Sequence, residues 1–315
     1  MPAEPQSAAD LAIQAASPAL WAALSPRGRA AQVPENFLPQ QSAAARGKTW
    51  NATIGQITDG RGGALPLSPI AAALAGLDPA LRNQALLYSP VEGSAELRRL
   101  WREHQRRGRP EAPPSSLPLV TAGPVLALSL AAGLFISEGQ TVLLAGPAEA
   151  PEIPETPEIF TLRTGASAKP CSLEELRAAL ASTGPGEPVV VVLCPPHGLG
   201  QRSPLIDTLT QAAGRGPLVV VLDETSLPQG SSLFWDLADR HPALLPVKVD
   251  GPGELGFPGS GVGFFTLALD PETEVAQAME GKAKMLLRAE VGSPPALGQA
   301  VLSAALREEG EEGKA

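Results

Sequence analysis

An α/β fold, three layers deep with helices on both faces of a mostly parallel sheet, is what this chain predicts, and three observations carry the expectation. From residue 119 to residue 289, apolar runs of strand length alternate with stretches of helical length. Two of the runs, Val189-Val190-Val191-Val192-Leu193 and Leu218-Val219-Val220-Val221-Leu222, are apolar at every position. Strands covered on both faces have that pattern, because whichever way the pleat turns a side chain it meets a helix layer. Finally, 43% of the 315 residues are apolar, ample for a buried core at this length.

Taken in order, residues 1–47 alternate Ala/Leu patches with Pro and Gln, which predicts one short helix over 7–23 and then a loosely held arm. Apolar residues at helical spacing recur over 70–77 and 94–105; the second run opens on Ser94, with Leu97 rather than an acid three residues on. A Pro-rich loop follows over 109–117. Then come a strand at 119–121, a helix over 124–136, a strand at 141–145, a helix over 172–182, a strand at 188–194, a helix over 203–214 and a strand at 218–223. Strands at 244–249 and 263–267 and a helix over 271–289 complete the series, with no internal repeat. The Glu/Gly-rich stretch 307–315 reads as a frayed tail.

The formal net charge of −9 argues against nucleic acid or an anionic membrane surface as partner, and the arginines between Arg98 and Arg109 are interrupted by apolar and acidic residues. Two cysteines, Cys171 and Cys194, form no CxxC or Cys/His cluster, so neither a disulfide framework nor a zinc site is expected. The longest apolar stretch, 125–136, is too short to span a bilayer, and residues 1–24 lack the basic start and unbroken apolar core of a signal peptide. A cytoplasmic protein is the expectation.

Several motifs occur together. They are Asn51-Ala52-Thr53-Ile54-Gly55; Tyr88-Ser89-Pro90 followed by Gly93 and Leu97-Arg98, a Y-x-P-x-x-G-x-x-x-L-R arrangement; and Thr121-Ala122-Gly123 opening a helix. Ser232-Leu233-Phe234, His241-Pro242, Val247-Lys248-Val249-Asp250-Gly251, and Gly259 with Gly263-Phe264-Phe265-Thr266 follow. In this order the stretch 51–299 resembles the large domain of class I/II aminotransferases, fold-type-I enzymes dependent on pyridoxal phosphate (PLP). The resemblance implies a PLP-transferase-like large domain at 51–292, preceded by an N-terminal helix and arm at 1–50. Residues 293–315 correspond to the truncated start of a small domain, beginning at Ser293-Pro294-Pro295. In the family that domain continues and supplies the arginine for the substrate carboxylate.

The chemistry departs from the family pattern. PLP catalysis needs a lysine amine to form the internal imine and an acid to keep the pyridine nitrogen protonated. In the family the lysine follows D-G-x-x, and here that count ends on Glu254; counting back from Phe257-Pro258-Gly259 ends on Gly253. Neither side chain can form an imine. Gly261 stands where the family places an arginine for the cofactor phosphate. His197 replaces the asparagine expected near the ring hydroxyl, Ser226 replaces the imine-tuning tyrosine, and Glu149 aligns with the ring-stacking aromatic. After Gly123, Pro124 has no N–H and Val125 no hydroxyl to offer a phosphate.

For the family-matching positions that survive, two readings stay open. Asp223 either caps the turn after its strand or is a retained pyridine partner. Tyr88 either packs at a dimer surface or reaches a neighbouring subunit's site. His197 is read as a surface-loop histidine rather than a base, lacking a recognisable nucleophile or metal partner. Lys248, well before the imine position, is not expected to replace the missing amine. The expected function is a non-catalytic aminotransferase homologue, a scaffold or binding protein with no cofactor, forming a homodimer. The alternatives are an active PLP enzyme with an unorthodox or partner-completed site, and a cleft made anionic by Glu149, Asp223 and Glu254 that takes a cationic ligand. The apolar stretch 296–306 is expected to lack its usual cover.

Overall fold

The computed structural model describes residues 7–31, 43–44, 63–145, 163–193, 202–225, 227 and 232–312. Its centre is a seven-stranded sheet. The strands are β1 (Leu119–Thr121), β2 (Thr141–Ala145), β3 (Ser167–Cys171), β4 (Val189–Leu193), β5 (Leu218–Asp223), β6 (Leu244–Asp250) and β7 (Gly263–Leu267). They lie in the order β1-β7-β6-β5-β4-β2-β3. β3, β2, β4, β5 and β6 run parallel, whereas β7 is antiparallel to both β6 and β1. The mostly parallel sheet was thus readable from its apolar strands. β3 was not, because Ser167-Ala168-Lys169-Pro170-Cys171 has neither an apolar run nor clean alternation; as the edge strand it tolerates a proline, which a central strand would not.

The helices are α1 (Ala8–Ala16), α2 (Pro18–Ala23), α3 (Pro26–Ala30), α4 (Ser68–Gly76), α5 (Pro79–Ala85), α6 (Ala95–Gln105), α7 (Pro124–Phe135), α8 (Leu173–Ser182), α9 (Arg202–Ala213), α10 (Phe234–Leu237), α11 (Glu274–Val291) and α12 (Ala296–Glu312). The single helix expected over 7–23 is two. Pro18 cannot donate into a continuing helix, so Ser17 ends one turn and its hydroxyl accepts from Leu20 N to start the next. Ser172 opens α8 with a capping box in which its hydroxyl and Glu175 serve each other's backbone N–H.

The pleat divides the core. Val190, Val192, Val221, Val247, Val249 and Phe265 face α7 and α11, while Val191, Leu193, Val220 and Leu222 face α8 and α9 on the opposite side. A third cluster lies beyond the β6–β7 end of that second face, where Trp101, Val120, Phe264 and Leu255 pack with α4, α5 and α12.

Two expectations about the C-terminal part fail here. Residues 307–312, expected to fray, continue α12. The stretch 296–306 is covered from within the chain: Val301, Leu302, Ala305 and Leu306 are buried in the third cluster with Ile70, Leu81 and Leu97 of α4, α5 and α6. Their i, i+1, i+4, i+5 spacing points these four to one face, while Leu297 stays 58% exposed. Close approach at the start of α12 depends on Gly298, where an added Cβ would lie 2.1 Å from the Ser260 carbonyl oxygen. Backbone cannot rotate away as a side chain can, so Gly298→Ala is expected to lower stability by about 1–3 kcal/mol. Denaturant titration of the variant against the parent chain measures this, and an unchanged midpoint would refute it.

Candidate functional site

The C-terminal edge of the parallel strands is where α/β sheets bind ligands. There the turns after β5 and β6 meet the start of α7. A Cβ at Gly253 would sit 3.5 Å from the Thr225 carbonyl oxygen, and one at Gly251 would sit 3.0 Å from Pro124 Cγ. Three of the predicted positions, Gly123, Asp223 and the Gly253-Glu254 turn, therefore share one corner of the fold.

Each of the three has contacts of its own within that corner. Asp223 Oδ1 accepts from Thr225 N at 3.2 Å and from Thr225 Oγ1 at 2.7 Å, an Asx-turn that closes the end of β5. Gly123, at φ 86, makes the left-handed corner before α7, and Thr121 Oγ1 donates to its carbonyl at 2.8 Å. Glu254 lies in the 3-10 turn Pro252–Leu255, and its Oε1 is 3.0 Å from His104 Nε2 on α6. The alternative of a three-acid cleft from Glu149, Asp223 and Glu254 includes a residue, Glu149, outside the described residues. Gly261, also left-handed at φ 65, is backed by Pro295. Tyr88 is elsewhere. At 97% exposure it borders a groove of about 270 Å³ between residues 84–95 and α12. His197, Ser226 and Glu149 lie outside the described residues, as do Asn51 to Gly55.

What sequence reading missed is the charged cluster behind that corner. Because Val247 and Val249 face α7, Lys248 and Asp250 must face the opposite side, toward α6. Lys248 Nζ is 3.2 Å from Glu224 Oε2 and 3.2 Å from Asp250 Oδ2, and all three side chains are buried. Trp101 Nε1 donates to Asp250 Oδ1 at 3.1 Å; Gln105 Nε2 donates to Asp250 Oδ2 at 3.0 Å and to Thr266 Oγ1 at 3.2 Å. Glu224 Oε1 accepts from Leu233 N at 2.8 Å, tying the segment before α10 to the end of β5. The available signal was the interruption of an apolar strand by two charges at i and i+2.

This cluster decides the chemistry open to Lys248. Burial alone disfavours its ammonium, but the facing Asp250 and Glu224 carboxylates outweigh that and hold its pKa above the ordinary lysine value. An amine attacks a carbonyl only when neutral, so Lys248 is held in the unreactive form across the neutral range.

Comparison with known structures now places the architecture. It is the fold of the PLP-dependent aminotransferases. An aminotransferase from Anaerococcus prevotii superposes with a TM-score of 0.74 at 14% identity, over 92% of this chain and 77% of that one. The broad specificity aminotransferase from Leishmania mexicana gives 0.69 at 18% identity, over 94% and 76% of the two chains. LysN, an α-aminoadipate aminotransferase from Thermus thermophilus, gives 0.58 at 24% identity, over 79% and 64%. No protein-family model matches the sequence, and no curated protein does. Among the described residues no helix is long and apolar enough to cross a membrane, and no cluster of His, Cys, Asp or Glu could hold a metal ion.

Proposed function

We propose that this chain is an aminotransferase-fold protein that forms no internal imine and acts as a scaffold or binding homologue. The observation that carries the reading is the engagement of Glu254 with His104, in the turn where the family resemblance calls for the lysine. That carboxylate is a latch between the turn and α6. The remaining described positions point the same way: Pro124 lacks an N–H, Gly261 lacks a side chain, and Lys248 is held as an ammonium between two carboxylates. They do not fit a covalently held PLP.

Purified protein mixed with PLP and then reduced with borohydride is expected to carry no covalent adduct. Trapping on Lys248 or any other lysine would overturn the reading in favour of an active enzyme. Glu254→Lys is expected to restore no transaminase turnover, because it supplies an amine without a phosphate anchor and breaks the contact to His104. An amino-acid-dependent half-reaction in that variant would show a more complete pocket.

We further propose a homodimer. Its support is the exposed apolar stretch Leu86 (85%), Leu87 (59%) and Tyr88 (97%), since single chains rarely leave adjacent large apolar side chains in water. Light scattering at micromolar concentration is expected to return twice the chain mass, and Leu87→Asp to shift it toward the single chain. A parent chain that scatters as a monomer refutes the proposal.

A further inference from the structure

The charged cluster ends in a crevice lined in part by Gln105, Glu224, Ser232, Trp235, Lys248 and Asp250. Beside Glu224 Oε2, which faces the Lys248 ammonium, three buried polar atoms on these lining residues have no hydrogen-bond partner among the described residues: Gln105 Oε1, Ser232 Oγ and Trp235 Nε1. All three residues are more than nine-tenths buried, at 3%, 7% and 4% exposure. The orientation of Gln105 follows from chemistry, because only its NH2 can donate to Asp250, which leaves Oε1 as the unused acceptor. Folded proteins rarely bury polar atoms in this way without a ligand or an ordered water.

The atoms define what fits. An indole N–H can only donate, an amide oxygen can only accept, and a hydroxyl does either. A bare cation would face the indole hydrogen, and an anion would face the amide oxygen in a lining whose three carboxylates, Glu224, Asp250 and Glu254, outnumber its two cations, Lys248 and Arg109. The occupant must both accept and donate. It must also be small: the space open to the centre of a water is about 20 Å³. One water needs roughly 10–15 Å³ so counted, with two to four polar partners.

We infer that one ordered water is bound in this crevice, accepting from Trp235 Nε1 and donating to Gln105 Oε1, with Ser232 Oγ as its third partner. It joins α6 to the segment entering α10 and completes the polar network around Asp250. The inference does not depend on whether the protein is catalytic.

A double-mutant cycle on the full chain tests it, using Ser232→Ala, Trp235→Phe and the pair in denaturant unfolding. If a water is shared, Ser232→Ala strands it and raises the unfolding equilibrium constant about fivefold. The pair then falls short of the product of the single effects by about twofold or more, because the second change removes a partner from a network already broken. Ser232→Ala that leaves stability unchanged or increases it overturns the inference, as does full independence of the two changes. Should Trp235→Phe fail to fold, a high-resolution crystal structure of the parent chain decides: density for a water within hydrogen-bond distance of all three atoms supports the site, and its absence refutes it.

Discussion

Lys248→Ala is expected to lower the stability of the fold by about 3–5 kcal/mol, the usual cost of removing one member of a buried ion group. Glu224 and Asp250 would face one another across the space the ammonium occupied, each buried and neither able to move to solvent. The loss should depend on pH. Acidification lets one carboxyl take up a proton and relieves the repulsion, so the gap between variant and parent narrows as pH falls. The parent behaves differently at the alkaline end. The folded-state pKa of Lys248 is raised, so its contribution is fully present below the ordinary lysine value and disappears as pH rises through the folded one. Denaturant midpoints from mildly acidic to strongly alkaline pH measure both effects. A variant as stable as its parent at neutral pH would show that the ammonium does not hold the cluster together.

Trp101→Ala is expected to cost about 3–5 kcal/mol as well, for a different reason. The ring is fully buried, lies 4.1 Å from Phe264 at an interplanar angle of 9°, and closes the third core cluster between α6, β7 and the turn after β6. Its removal leaves a cavity and takes a donor from Asp250. Trp101→Phe keeps a stacked six-membered ring but loses the pyrrole part with its N–H, so a smaller loss of about 1–3 kcal/mol is expected, from the stranded Asp250 acceptor and a smaller void together. Equal losses in the two variants would mean that packing contributes little and the hydrogen bond nearly everything.

The strands that were legible are those whose environment is uniform. β4 and β5 are apolar throughout because both faces are covered, and their limits in the structure agree with the apolar runs to within a residue. β3 was invisible because an edge strand needs no apolar run, and among the described residues its one strand partner is β2. The sequence of α12 reads as uncovered surface because its cover, α4 to α6, comes from residues some two hundred positions earlier, and no local pattern reports a contact at that separation. The site divides in the same way. Asp223 as a turn-closing acid was among the readings of the sequence, because an Asx-turn is a local event. Lys248 and Asp250 are two residues apart, but their other partners, Glu224, Trp101 and Gln105, and the His104 that meets Glu254 are not local.

By itself the sequence determined the layers, the mostly parallel sheet and the identity of the groups available at its C-terminal edge, because periodicity and side-chain chemistry are properties of short stretches. It also placed Glu254, or Gly253 by the count from the other side, where the family resemblance calls for an amine. Only the tertiary structure decided what that carboxylate does. His104 is 150 positions away along the chain, yet it meets Glu254 at 3.0 Å because α6 packs against the face of β6 opposite α7. The same packing buries Lys248 between two acids that hold its pKa above the ordinary lysine value, since a charge inside a protein takes its properties from the groups that surround it.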